Sequence, residues 1–111
     1  MNLGQFTGTE NYFKSNMFVP KMMHTDGVEY FCNQACAYWF LDVVATEIFP
    51  LQEKDYFLSV KMKVDDGRAI ITAEDGNGNE LHKKFIDFTD CPEGEYNFFL
   101  TDNVLMLTSE Y

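Results

Sequence analysis

The chain has 111 residues, 46% of them hydrophobic and 16% aromatic, and 18 acidic side chains against 8 basic ones give a net charge of −10. That length and apolar content specify one globular domain, residues 1–111, with a workable core, and exclude a disordered chain. The charge disfavours direct nucleic-acid binding and anionic membranes and steers basic partners toward the protein.

The negative charge is unevenly spread. Residues 1–27 balance, with Glu10 and Asp26 against Lys14 and Lys21, and residues 56–86 balance at five against five. Residues 28–55 carry −4, from Glu29, Asp42, Glu47, Glu53 and Asp55 against Lys54. Residues 87–111 carry −6, from Asp87, Asp90, Glu93, Glu95, Asp102 and Glu110 with no basic residue. Three cysteines cannot form a full disulfide framework, and Cys32 and Cys36 are poorly spaced to bridge each other on one helix. Reduced thiols and the lack of a basic-then-apolar leader give a cytoplasmic expectation, and no stretch is apolar enough to span a membrane.

In chain order, Thr7 or Thr9 can cap a short N-terminal helix through Glu10 to Ser15, and the Thr7–Glu10 spacing fits a capping box. Residues 16–24 form a connector whose Met17-Phe18 and Met22-Met23 pairs are expected to pack down onto the main helix. Thr25 or Asp26 then caps that helix, one long central element from Val28 to Phe49, with Glu29 in its first turn and Pro50 as its stop. It has two apolar stripes: Val28, Phe31, Cys32, Ala35, Trp39 and Val43, and Tyr30, Ala37, Leu41, Val44, Ala45 and Ile48. Such a helix should be covered on two sides, by a sheet and by residues 1–24.

From Tyr56 the period becomes two. Strands are expected over residues 56–64, 68–74, 80–88, 95–100 and 104–108, separated by the turns Asp65-Asp66-Gly67, Asp75-Gly76-Asn77-Gly78-Asn79 and Thr101-Asp102-Asn103. The resulting expectation is an α+β fold: one long central helix packed on a four- to five-stranded antiparallel meander sheet, with a short N-terminal helix.

Several segments resemble an uncharacterised family of small bacterial, phage and mobile-element proteins, a domain of unknown function. They are Phe6-Thr7-Gly8-Thr9-Glu10-Asn11-Tyr12, Thr25-Asp26-Gly27-Val28, Ala37-Tyr38-Trp39-Phe40-Leu41-Asp42, the glycine-rich turn from Asp75 and the terminal Leu107-Thr108-Ser109-Glu110-Tyr111. The resemblance implies a shared fold over nearly the whole chain and a mobile-element setting. It implies no activity and no catalytic residue.

Motifs for chemistry are weak. Cys32, Cys36, Cys91, His24 and His82 hold no C-x-x-C pair, so no metal and no other cofactor is expected. Asp75-x-Asn77-x-Asn79 opens like a calcium loop but has Glu80 and Ile86 where glycine and glutamate belong. No glycine-rich phosphate loop precedes a helix, and no catalytic residues are assigned. Asp42, a carboxylate inside an apolar helix, is the one acid singled out as poised or merely solvated.

The expected function is that of a small acidic, non-enzymatic interaction protein. In its sharpest form it is a phage or mobile-element inhibitor, anti-CRISPR or anti-restriction in type, acting as a DNA mimic on a basic nucleic-acid-binding surface. Its expected partner-binding residues are Asp87, Asp90, Glu93, Glu95, Asp102 and Glu110, with Tyr96, Phe99 and Tyr111 as aromatic anchors. A homodimer through the C-terminal edge strand is a second expectation. The alternative is a small ligand-binding or enzymatic α+β domain with an aromatic pocket near Asp42, with His24 or a cysteine as further polar groups.

Overall fold

The alternation from Phe57 onward fixes one face of a sheet, and everything else is laid against that face. The computed structural model describes all residues, Met1–Tyr111. Leu58, Val60, Met62 and Val64 of β3 (Phe57–Asp65) are buried, as are Ala69, Ile71 and Ala73 of β4 (Arg68–Asp75). β5 (Glu80–Ile86) comes after the glycine-rich turn, and β6 (Gly94–Thr101) pairs with the other side of β3, adding Phe98 and Leu100 to the buried face. β7 (Val104–Leu107) closes a hairpin with β6. All three sequence turns are found where expected, and these five strands are antiparallel.

The sheet nevertheless has seven strands and is mixed. β1 (Tyr12–Lys14) and β2 (Met23–Thr25) form a short antiparallel pair, and β2 lies parallel to β7. The strand order is β1-β2-β7-β6-β3-β4-β5. The expected N-terminal helix is therefore a strand. Thr9 does not cap it; its hydroxyl donates to the Asn11 carbonyl and accepts from the Asp26 N–H. β7 lies between β2 and β6, so the C-terminal strand offers no edge for the expected homodimer. Of the connector, Met22 is buried, whereas Met17 and Phe18 are exposed.

The single long helix is also corrected. α1 (Asp26–Gln34) ends at Ala35, and α2 (Tyr38–Val43) starts after Ala37. α2 runs into a π-helical turn, Val44–Ile48, and a 3₁₀ turn, Phe49–Glu53, that contains Pro50 near its start. The break is at Cys36, whose φ is +53°. Its effect explains the two stripes. Val28, Phe31, Cys32 and Ala35 of the first stripe are buried, and then Ala37, Leu41, Val44, Ala45 and Ile48 of the second. A straight helix would need cover on two sides. The left-handed residue instead rephases the chain, so both stripes face the same sheet. Phe31, Phe40 and Phe98 pack at the junction, with ring centroids 4.8 to 6.2 Å apart. The N-terminal residues cover what remains, as Phe6 against Tyr30 at 5.1 Å shows. The opposite face of the sheet is left open. No helix is long and apolar enough to cross a membrane.

An L-residue in the left-handed region carries a steric cost of about 1–2 kcal/mol, which glycine avoids at some cost in chain entropy. Cys36→Gly is therefore expected to raise unfolding stability by up to about 1 kcal/mol, and Cys36→Val, branched at Cβ, to lower it. Chemical denaturation of the two variants checks the sign.

Candidate functional site

Two loops meet at one end of the sheet. The β3–β4 turn carries Asp65 and Asp66 and turns through positive φ at Asp66 and Gly67. The β5–β6 loop carries Asp87, Phe88, Asp90 and Glu93. The Thr89 N–H donates to the Gly67 carbonyl at 2.8 Å, and the Asp66 N–H donates to Glu93 Oε1 at 3.2 Å. Thr89 and Cys91 are buried, and the Thr89 hydroxyl accepts from the Cys91 N–H, so the loop is pinned from within. Asp87, Phe88 and Asp90 consequently point outward, and Phe88 is 77% exposed. Phe85, 64% exposed, pairs with Ile70 on the adjoining open face. Those two side chains, with Arg68 and Asp87, line a shallow groove of about 500 Å³. The two loops thus form a rim that carries five carboxylates and Phe88, and Arg68 lines grooves with Phe85 and Asp87 on one side and with Lys63, Asp65 and Asp66 on the other.

The structure brings only part of the predicted set to this rim. Asp87, Asp90 and Glu93 are there. Glu95 lies on the open face and pairs with Lys61 at 3.3 Å. Asp102 sits in the β6–β7 turn, at the other end of β6. Tyr96 faces inward, 4.8 Å from Phe31, and its hydroxyl donates to the Pro92 carbonyl. Burial, reinforced by the Cys91 thiol, pushes its pKa up to about 12. Phe99 and Tyr111 form a three-ring cluster with Phe57 on the open face, at 4.9 to 5.5 Å.

Glu110 is taken up by the fold. Its Oε1 accepts from the Thr25 hydroxyl at 2.6 Å and the Leu107 N–H at 3.0 Å, and its Oε2 accepts from the Gly27 N–H at 3.2 Å. Thr25, one of the two caps expected from the sequence, is the N-cap of α1, and its oxygen accepts from the Val28 N–H; Asp26 is the first helical residue. A carboxylate therefore lies at the positive end of α1. Sequence reasoning missed Asp65, Asp66, Phe85 and Phe88. The two aspartates were visible as a turn, but nothing local signals that the turn meets Glu93. Phe85 occupies an outward register of β5, and no periodicity marks Phe88.

A second polar constellation lies under the N-terminal hairpin. His24, 2% exposed, has Nδ1 2.8 Å from the Ser15 hydroxyl and Nε2 2.7 Å from Glu29 Oε1. The Tyr38 hydroxyl donates to Glu29 Oε2, and Phe13 stacks on the imidazole. Glu29 as acceptor places the proton of neutral His24 on Nε2, leaving Nδ1 to accept from Ser15. Serine, histidine and carboxylate are the parts of a nucleophile relay, but none of the surface grooves is lined by Ser15 or His24. The group fastens β1 and β2 to α1 and α2.

The remaining candidates resolve into structural roles. Asp42 is exposed, accepts from the Asn16 side-chain amide at 2.9 Å and lines no groove. Asp75 accepts from the N–H groups of Asn77 and Asn79 and from the Asn79 amide, which hold its pKa below the ordinary carboxylate value. Those are the turn's own donors. Burial pushes the Cys32 thiol up to about 12 and raises that of Cys91, so neither is an activated nucleophile. No three His, Cys, Asp or Glu side chains converge at metal-binding range. His82 pairs instead with Glu47, which also meets Lys84.

A family model matches residues 1–111, the full chain, and its description is a family of unknown function, DUF6876. No curated protein and no solved structure matches.

Removing the Glu110 carboxylate strands three donors, so Glu110→Ala is expected to cost about 2–3 kcal/mol in denaturant unfolding, and Glu110→Gln, which keeps one acceptor, less. At Glu29, burial alone raises the pKa, but the hydrogen bonds from His24 and Tyr38 and the charge of His24 outweigh it and hold it below the ordinary 4.5. A group with a depressed folded pKa adds stability that is complete above its unfolded value and is lost as pH falls through the folded one. Glu29→Gln should therefore flatten the stability profile below about pH 4.5 in acid-unfolding curves; an unchanged acid limb would contradict the assignment.

Proposed function

The chain belongs to a family without an assigned activity, and we propose from its own surface that it is a non-enzymatic interaction protein whose acidic, phenylalanine-tipped rim occupies a basic surface on a partner. The observation that carries this reading is the cross-loop tie, Thr89 to Gly67 and Asp66 to Glu93, which holds five carboxylates beside an exposed Phe88. Pinned loops lose little freedom on binding, so more of the contact energy is left for affinity. A large exposed ring among charges is the usual make-up of an interface anchor. The net charge of −10 adds long-range attraction toward a basic target.

A basic groove that normally holds nucleic acid is the target chemistry that fits a row of carboxylates best. An inhibitor of a host nucleic-acid-processing defence, anti-CRISPR or anti-restriction in type and carried by a phage or mobile element, is the sharpest form of the proposal. The aromatic-pocket alternative draws no support, because Asp42 lines no groove.

The test is capture of partners from host lysate at low and moderate salt, followed by competition with duplex DNA. Asp87 and Asp90 make no hydrogen bond that the fold depends on, so Asp87→Lys with Asp90→Lys removes rim charge without removing a fastening. Capture of a nucleic-acid-binding protein, displaced by DNA and weakened about tenfold or more by the double reversal or by Phe88→Ser, is expected. Capture indifferent to salt, to DNA and to all three substitutions would sink the proposal.

A further inference from the structure

On the open face of the sheet, away from the rim, a groove of about 220 Å³ runs over β2 and β7. Its lining is Thr9, Tyr12, Thr25, Thr101, Asp102, Val104, Met106 and Glu110. The register explains how these residues meet. Tyr12 is opposite Thr25 across β1 and β2, and Thr101 is opposite Val104 across β6 and β7. All four side chains point to the open side of the sheet.

Thr101 is the informative residue. It is only 7% exposed, yet its hydroxyl has no partner within the chain and it lines the groove. The other groove threonines are engaged: Thr25 with Glu110 and Val28, Thr9 with Asn11 and Asp26. The oxygen itself opens into the groove rather than being sealed in the fold, so it offers an unused donor and acceptor to a bound group. Next to it Asp102 is exposed and also unpaired, held at the tip of its turn with φ +52°. Glu110 contributes a second carboxylate toward the far end, although three donors already hold it. No basic side chain lines the groove. Between the two polar ends lie the apolar Val104 and Met106, and the exposed ring of Tyr12 forms a wall.

We propose that this groove binds a primary alkylammonium group, with the ammonium donating to Asp102 and the Thr101 hydroxyl and its methylene stem lying over Val104 and Met106. The two carboxylates repel anions, and the apolar floor suits a hydrocarbon stem rather than a bare cation. The Tyr12 ring offers its face to the same charge. The chemistry could come from a lysine side chain of a partner or from a free diamine. The proposal does not rest on the rim, because it uses different residues on a different part of the surface.

Methyl-detected NMR titration of the intact protein separates the outcomes. The probes are N-acetyl-lysine methylamide, 1,4-diaminobutane and, as an uncharged isostere, N-acetyl-norleucine methylamide. Expected are saturable shifts at the Thr101, Val104 and Met106 methyls with at least one of the amines and none with norleucine. Tighter binding of the lysine derivative points to a peptide source, and tighter binding of the diamine to a free ligand. Thr101→Val keeps the branched shape and Asp102→Asn tolerates the left-handed turn, so both should fold; each should weaken binding about tenfold. Reversal of Asp87 and Asp90 should leave it unchanged. No saturable shift with either amine, equal response to norleucine, or wild-type affinity in folded Thr101→Val and Asp102→Asn would overturn the proposal.

Discussion

The fold depends on one carboxylate, that of Glu110, which joins the end of the chain to the beginning of its first helix. The three donors it meets come from Thr25, Gly27 and Leu107, so a single side chain satisfies an N-cap hydroxyl, a free helix N–H and the last strand at once. Gly27 is part of the same constraint. A Cβ there would stand 2.5 Å from Glu110 Oε1 and 2.6 Å from Leu107 Cδ1, so only glycine lets the helix start approach so closely. With that contact made, α1 is aimed across the sheet and β2 is set beside β7.

Much of this was legible in the sequence, for reasons that differ by element. The period-two runs and their Asp-Gly turns defined β3 to β6 because burial on one face demands alternation. Thr25 was legible as a cap because its oxygen serves the Val28 N–H from within the same turn. The family resemblance was carried by segments spread over the chain, and the family match spans all of it. The helix break was not legible. Two apolar stripes on a wheel describe equally a straight helix covered twice and a broken helix covered once, and only the sheet decides between them. β1 and β2 were missed because three residues are too few to show a period. The candidate site was half legible for the same kind of reason. Composition located the acids between Asp87 and Glu110, but which of them remain free is set by partners distant in sequence, such as Thr25 for Glu110, Lys61 for Glu95 and Asp66 for Glu93.

The sheet also sorts charge in a way that the total conceals. Lys14, Lys61, Lys63, Arg68 and Lys83, five of the eight basic residues, fall in the outward register of their strands. Glu95 and Glu80 neutralise Lys61 and Lys83 there. The open face is thus close to balanced, and the excess of −10 is displaced to the loops, turns and helical side. A protein this acidic can therefore carry a rim that attracts cations and a face on which aromatic rings and lysines alternate.

The parallel pairing of β2 with β7 sets the order in which the molecule can be made. Met23 N–H donates to the Asn103 carbonyl, and β2 has no other neighbour than β1 and β7. During synthesis β1 and β2 can pair with each other, but both emerge long before β7 exists. The β3–β4–β5 hairpins can close locally, but α1 has neither β7 beside it nor the Glu110 carboxylate at its start until residues 104–110 leave the ribosome. Phe31 meets Phe40, Tyr96 and Phe98 before that moment, so the core side of α1 is covered ahead of its cap. Loss of Glu110 is therefore felt at residues 25–27, early in the chain, as much as at the end of β7.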